Sequence, residues 1–491
     1  MKKSRISLLI SNIMVYGLNQ ILVVLIPMIM LPIYSRLLPD ISVYGISSIA
    51  ITICTLVSSV ATFGMYDAAV RFAFDKTENE QQYHKELCST ASFFLALTSI
   101  LASTLLLIFK DVISIVFFGT KEYSQVVVIA AGMSLFTVWN TAAIIPIRIY
   151  NQKRYTILNS MIKAIATAVA TLFFIKAEQY LLAIPLGTLC ALGITWLITF
   201  LLFQRKYVGW KYISVSRCYV MLKYAAPLMI TFVSYWIYQS ADRIMLSHLS
   251  NLTEVGIYAI GAKIGAVSGV MQNAFASGWA YFAFSTMNDE DQIHLISKIF
   301  RIGIVVCCLP SMLITAVIYP ILALVFVDGA YISGAFLCST LFTAPLFLTL
   351  MQVIGTQLLI EKDTRIYSRT QVIGAVINIL FNFILIPVFG ARGAAVATLI
   401  GYVVPLLILC IRLKKNKKIL VGMRETIVFC FTTFVLIVST LFVYTWQTNL
   451  IIGLIGSLVI ILISIKDIKM AIKAVLTYFG IKGGKENDNA K

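Results

Sequence analysis

The sequence predicts an all-α polytopic membrane protein with about 14 transmembrane helices: two six-helix bundles related by a pseudo-two-fold axis, plus two extra C-terminal helices. Three observations carry this prediction. Sixty per cent of the 491 residues are hydrophobic and only 12% are charged, and the mean hydropathy of +0.92 lies far above that of a soluble domain. Apolar runs of about 20 residues, long enough to cross a bilayer as helices, recur along the whole chain. No segment shows the alternation with polar punctuation that strands of a membrane barrel require.

The expected spans centre near residues 22, 54, 99, 135, 166, 192, 236, 269, 313, 346, 380, 401, 434 and 457, the last being the shortest. The first run is too long for a cleaved signal peptide, has no small-x-small site, and is followed by further spans. It carries Pro27 and Pro32, each lacking a backbone donor, which favours a bent helix. Tyr34, Tyr44, Trp210 and Tyr212 read as anchors at the membrane interfaces. The stretch "KDIKMAIKAVLTYFGIK" has apolar residues at helical spacing and reads as an inner-surface amphipathic helix drawn to membrane lipids. Nine cysteines with no C-x-x-C pair read as core packing.

Orientation follows from charge, because Lys and Arg are retained in cytoplasmic loops. With the amino terminus inside, 31 of the 39 basic residues fall in inner segments and five in outer loops (Arg36, Lys110, Lys121, Lys176 and Arg392). Three remain within spans: Lys163, Arg243 and Lys263. Both termini are therefore expected in the cytoplasm. The net charge of +18 is mostly a topology signal, and its spread over many short loops without interleaved aromatics argues against a nucleic-acid partner.

The chain also repeats itself. "YSRLLPDISVYGI" (34–46) aligns with "LSHLSNLTEVGIY" (246–258), and "RYTILNSMIKAIATAV" (154–169) aligns with "RIYSRTQVIGAVINIL" (365–380), an offset of about 208–212 residues. The repeat sets the expected domains: 1–205 and 224–412 as six-helix bundles, 206–223 as a cytoplasmic linker, 413–465 as two additional spans and 466–491 as a cytoplasmic amphipathic tail. Each half starts inside and has an even number of spans, so the halves run in the same direction, with a cavity expected between them.

The duplicated plan, "YSRLL" and "SADRIML…LTEVGIYAIGAKIG" (240–265) resemble the polysaccharide-exporter branch of the multidrug/oligosaccharidyl-lipid/polysaccharide (MOP) superfamily, in particular bacterial flippases for O-antigen or capsule repeat units. The resemblance implies alternating-access transport of an undecaprenyl-diphosphate-linked oligosaccharide from the inner to the outer leaflet of the bacterial plasma membrane. It implies no enzyme activity and no cofactor, with an H⁺ or Na⁺ gradient as the source of any coupling, and a polysaccharide polymerase as a partner downstream.

Such a substrate needs shelter for an anionic diphosphate, which positive side chains in a wet cavity supply. Lys163, Arg243 and Lys263 are the candidates, with Asp242 as the single acid deep in a span. The competing reading makes Asp242 and its cations an ion-pair staple between spans seven and eight. Asn12 and Asn140, together with Asn19, Gln20, Asn378 and Asn382, could bind glycan hydroxyls or simply join helices. Asp67 and Arg71, four residues apart near an inner span end, are gate or entrance candidates, the plainer reading being an i,i+4 pair at a helix end. Neither a G-x-x-x-x-G-K-[ST] loop nor a loop large enough for a nucleotide domain occurs, which excludes an ATP-driven pump. A lipid II flippase and an ion-coupled drug antiporter of the same superfamily stay open as alternatives.

Overall fold

The structure is a computed structural model that describes residues 24–478, apart from residues 26, 74, 76–78, 151, 286–288, 327–328 and 362. Asn12, Asn19 and Gln20 lie outside these residues. No strand occurs among those described. The first half comprises α1 (residues 27–37), α2 (Ile41–Thr62), α3 (Met65–Phe72), α4 (Glu80–Ile108), α5 (Lys110–Phe118), α6 (Ser124–Ile149), α7 (Lys153–Lys176) and α8 (Ala183–Leu202). The second comprises α9 (Val215–Leu249), α10 (Leu252–Ser285), α11 (Gln292–Val325), α12 (Gly329–Ser333), α13 (Ala335–Ile360), α14 (Thr364–Phe389) and α15 (Ala391–Lys415). α16 (Met423–Phe442) and α17 (Trp446–Tyr478) follow.

Twelve helices among the described residues are long and apolar enough to span a membrane. Of the other two expected spans, the first falls mostly outside the described residues, and the seventh is α9, a helix of 35 residues. The last span, Trp446–Met470, is as apolar as any other, and its helix runs on past a break at Ser464 into the expected surface segment.

Local sequence explains the breaks. Asp40 caps α2 by accepting from Ser42 N–H at 2.9 Å, satisfying a donor that the helix start leaves free. Phe63 and Gly64 adopt left-handed backbone (φ 49° and 70°), which ends α2 and lets α3 set off as a separate helix. At the repeat offset the short α5 falls on the last turns of α11, so a stretch that is a separate helix in the first half continues the preceding helix in the second.

By contacts the chain divides into two compact units, Met1–Ile260 and Gly261–Lys491, with the division inside α10. In the first unit α4, α6 and α8 pack in sequence, α7 lies almost wholly on α8, and α9 lies against α2, α3, α4 and α5. Lipid offers no hydrophobic drive for helix association, so polar bonds and close packing hold these contacts. Asn140 Nδ2 donates to Leu192 O across α6 and α8 (2.9 Å), and Asn159 donates to Thr199 across α7 and α8 (2.9 Å). At the far end of α9, Ser247 donates to Phe117 O of α5 (2.8 Å).

The start of α10 crosses the start of α2 at van der Waals limit. A Cβ on Gly45 would collide with the Leu252 carbonyl, and one on Gly256 would collide with the Ile41 carbonyl. Gly45 and Gly256 occupy equivalent places in the two repeats, so the crossing is made by main chain from both sides.

The second unit repeats the plan: α11, α13 and α15 pack in sequence and α14 lies on α15. α16 packs on α11, α13 and α15, and α17 packs on α11. The linkers after α8 and α15 dock in the same way, Gly209 N–H donating to Ser89 Oγ (3.0 Å) and Leu420 N–H to Ser297 Oγ (2.8 Å). Tyr34 and Tyr44 are buried, 6% and 7% exposed, and face each other rather than anchoring an interface as expected. Trp210 is 82% exposed.

Candidate functional site: cations within the spans

α7 starts after Gln152 and carries Lys163 about three turns in. The helix is the least covered of the spans: 11% of its apolar window is buried, against 67% for α2. Lys163 is exposed along its stem, while its ammonium sits among protein atoms, within electrostatic range of Cys54 on α2. A charged ammonium this far along an apolar helix needs an aqueous or anionic environment, because an uncompensated charge within the membrane costs at least a few kcal/mol.

Asp242 and Arg243 are successive on α9 and so point about 100° apart. Asp242 is 2% exposed and accepts the hydroxyl of Tyr258 on α10 at 2.5 Å. Arg243 is half-buried, and its Nε is buried with no hydrogen-bond partner. The two neighbours thus have different work: the carboxylate ties α9 to the start of α10, while the guanidinium keeps an unused donor for an anion. Spans seven and eight are stapled by a hydrogen bond from Tyr258, a residue whose part the sequence pattern does not announce. Lys263 is half-buried on the part of α10 belonging to the second unit.

Other expected residues have plainer surroundings. Asn140 spends its amide on Phe136 O and Leu192 O (2.8 and 2.9 Å), which makes it a helix connector; its Oδ1 is buried and unpartnered. Asn378 and Asn382 are buried on α14 and bond each other at 3.3 Å. On α3, Arg71 pairs forward with Asp75 (3.0 Å) instead of back with Asp67, and the pair is exposed enough to contribute at most about 1 kcal/mol. Among the described residues no group of His, Cys, Asp and Glu could hold a metal ion, and all nine cysteines are free.

Residues 9–288, more than half the chain, match the sequence profile of the family described as polysaccharide biosynthesis protein. The chain belongs to the polysaccharide biosynthesis protein family. This family member shares its fold with the lipid II flippase MurJ in an inward closed conformation (TM-score 0.66, 14% identity, 93% of this chain and 98% of that one). It also matches a multidrug resistance MATE family transporter of the MOP superfamily, inward-facing (TM-score 0.58, 16% identity, 81% and 99%). An uncharacterized membrane protein, MJ1068 of Methanocaldococcus jannaschii, is 26% identical over 189 residues, 38% of this chain and 35% of that protein. The chain therefore matches about a third of this curated relative's length. The MOP resemblance read from the duplicated plan holds: this family member is a multi-pass helical membrane protein of the flippase and transporter fold.

Proposed function

We propose that this protein flips undecaprenyl-diphosphate-linked oligosaccharide repeat units from the cytoplasmic to the outer leaflet of the bacterial plasma membrane, feeding O-antigen, capsule or exopolysaccharide assembly. The observation that carries the reading is the pair of intramembrane cations in the first unit. Lys163 lies on a thinly covered helix with its ammonium buried on the side of α2, and Arg243 holds a buried, unpartnered Nε. An anionic diphosphate answers both, whereas a cationic drug would be repelled by them. The family match to polysaccharide biosynthesis directs the choice of cargo towards lipid-linked sugar.

Transport follows alternating access, the two repeats opening the substrate path to each side of the membrane in turn. Closure on the outer side is supported by the Gly45–Gly256 crossing, where the equivalent helix starts of both repeats meet. Lys163 and Arg243 bind the diphosphate, and Asp242 with Tyr258 fixes the α9 face that presents Arg243. The protein performs no covalent chemistry in this reading. A transmembrane H⁺ or Na⁺ gradient supplies any driving force, and a polymerase receives the flipped units.

The test is reconstitution of the full chain in vesicles with three substrates in parallel: a lipid-linked oligosaccharide, lipid II and a fluorescent drug cation. Arrival of the glycan at the opposite leaflet, read by lectin capture, is expected for the first. Transport of lipid II alone would transfer the protein to the peptidoglycan-precursor alternative, and transport of the drug alone to the antiporter alternative.

A further inference from the structure

At the inner end of the first unit, α4, α6, α8 and the linker that follows enclose a cavity of about 370 Å³, walled by Phe93, Trp139, Trp196, Phe200 and Trp210. It is separate from Lys163 and Arg243, neither of which lines it. Its counterpart in the second unit shows what normally fills such a place. Docking of the two linkers on Ser89 and Ser297 puts α4 and α11 in register at an offset of 208 residues, and the alignment of Arg154 with Arg365 sets 211 for α8 and α15. On these offsets Ser92 corresponds to Phe300, Ala96 to Ile304, Trp196 to Leu407 and Phe200 to Ile411. All eight line one or the other cavity.

The second cavity measures about 160 Å³, and α16 closes it with Glu425, Thr426 and Phe429. In the first unit the small Ser92 and Ala96 leave a slot, and no helix lies where α16 does among the described residues.

Three features say what belongs there. The walls are almost wholly apolar and aromatic, suited to a hydrocarbon chain. Arg205, Lys206 and Lys211 stand exposed on the same linker, beside the exposed Trp210, where they attract an anionic headgroup. Gln204 lines the cavity and is 4% exposed; its amide donates to Ser92 (3.1 Å), and its buried Oε1 has no partner and can accept from a hydroxyl. We infer that this cavity binds an anionic, hydroxyl-bearing membrane lipid of the phosphatidylglycerol kind. One chain lies between Trp139 and Trp196 and the phosphate meets the linker cations. The bound lipid takes the place that α16 occupies in the other half. This inference is independent of which cargo is flipped.

The full chain in nanodiscs tests it, because three of the six tryptophans line the cavity. Phosphatidylglycerol brominated on its acyl chains should quench tryptophan fluorescence at lower mole fraction than equally brominated phosphatidylcholine. Replacing Arg205, Lys206 and Lys211 by Gln, all on the surface, should raise the half-quenching fraction of the anionic lipid about fivefold per contacting cation and leave phosphatidylcholine unchanged. Ala96→Phe should fill the slot and abolish the anionic preference. Should that variant not fold, the surface variants decide alone. Equal quenching by both lipids, unaltered by the charge changes, would overturn the site. Shielding of the tryptophans from both lipids by a co-purified membrane protein would also overturn it, assigning the face to a partner helix.

Discussion

The two halves of this molecule are built alike and finished differently. In the second, α16 lies along α11, α13 and α15 and is fastened at both ends. The Arg392 guanidinium donates to Val443 O (2.8 Å) and sits over the rings of Phe336 and Tyr444, and at the other end Lys418 pairs with Glu361. In the first, the positions matching Lys418 and Glu361 are Tyr207 and Tyr150, whose rings meet at a tilt of 30° with centroids 4.2 Å apart. An ion pair beside the appended helix in one half is an aromatic contact in the other, where the helix that follows, α9, packs on α2, α3, α4 and α5 instead. The comparison teaches that a duplicated skeleton does not impose duplicated surroundings: one half brings its own cover, and the other leaves aromatic surface to the bilayer.

The largest expected effect breaks the cover of the second half. Arg424 reaches Asp467 at 2.8 Å and Glu425 at 3.3 Å, and the side chains of both acids are less than 10% exposed. Arg424→Ala should destabilise the protein by about 3–5 kcal/mol, since it leaves buried carboxylates unpaired. Thermal unfolding in detergent would show it, and an Arg424→Ala, Asp467→Asn double variant should recover part of the loss.

Next in size is the functional asymmetry. Lys163 of the first half aligns with Gly374 of the second, so the charge is not shared by the repeats. Lys163→Gln and Arg243→Gln should each reduce flipping roughly tenfold to hundredfold, the worth of a charge-assisted contact of about 1.5–3 kcal/mol, at normal abundance in the membrane. Asp242→Asn should be milder in flipping, because Tyr258 still has an oxygen to donate to. Activity that merely follows abundance across these variants would make the charges structural.

Phe429→Ala should cost roughly 1–2 kcal/mol. It removes the α16 ring that meets Phe347 at 4.8 Å, and in lipid only packing is lost. The smallest effect is expected from Trp210→Ala, within about 0.5 kcal/mol, because that ring is exposed where the second half has cover. Denaturation of the two variants side by side measures the difference between the covered and uncovered faces.

Much of this was legible in the residues. Spans are read from hydropathy, which depends on the local chain alone, and the 12 described spans fall where the apolar runs do. The repeat was legible because sequence similarity survives in short stretches, and it reappears in the matched docking of the two linkers on Ser89 and Ser297. What escaped depends on partners distant in sequence. Arg71 had two acids within reach of a helical turn, and only the backbone after α3 selects Asp75. Asn140 had the same composition as a sugar ligand, but a carbonyl 52 residues away takes its amide. Tyr258 looked like one aromatic among 23 tyrosines until the fold set it against Asp242. The docking of α16 on only one half was invisible for the same reason.

The crossing of α2 and α10 has a kinetic consequence. Contacts between bulky side chains must choose rotamers each time they form, an ordering that costs up to about 2 kcal/mol for the longest chains and nothing for glycine. At Gly45 and Gly256 the surfaces that meet are peptide planes already fixed by their helices. In the alternating access proposed above, such a joint has no memory: it parts and re-forms with nothing to rearrange, and its fit on closing is as good the thousandth time as the first.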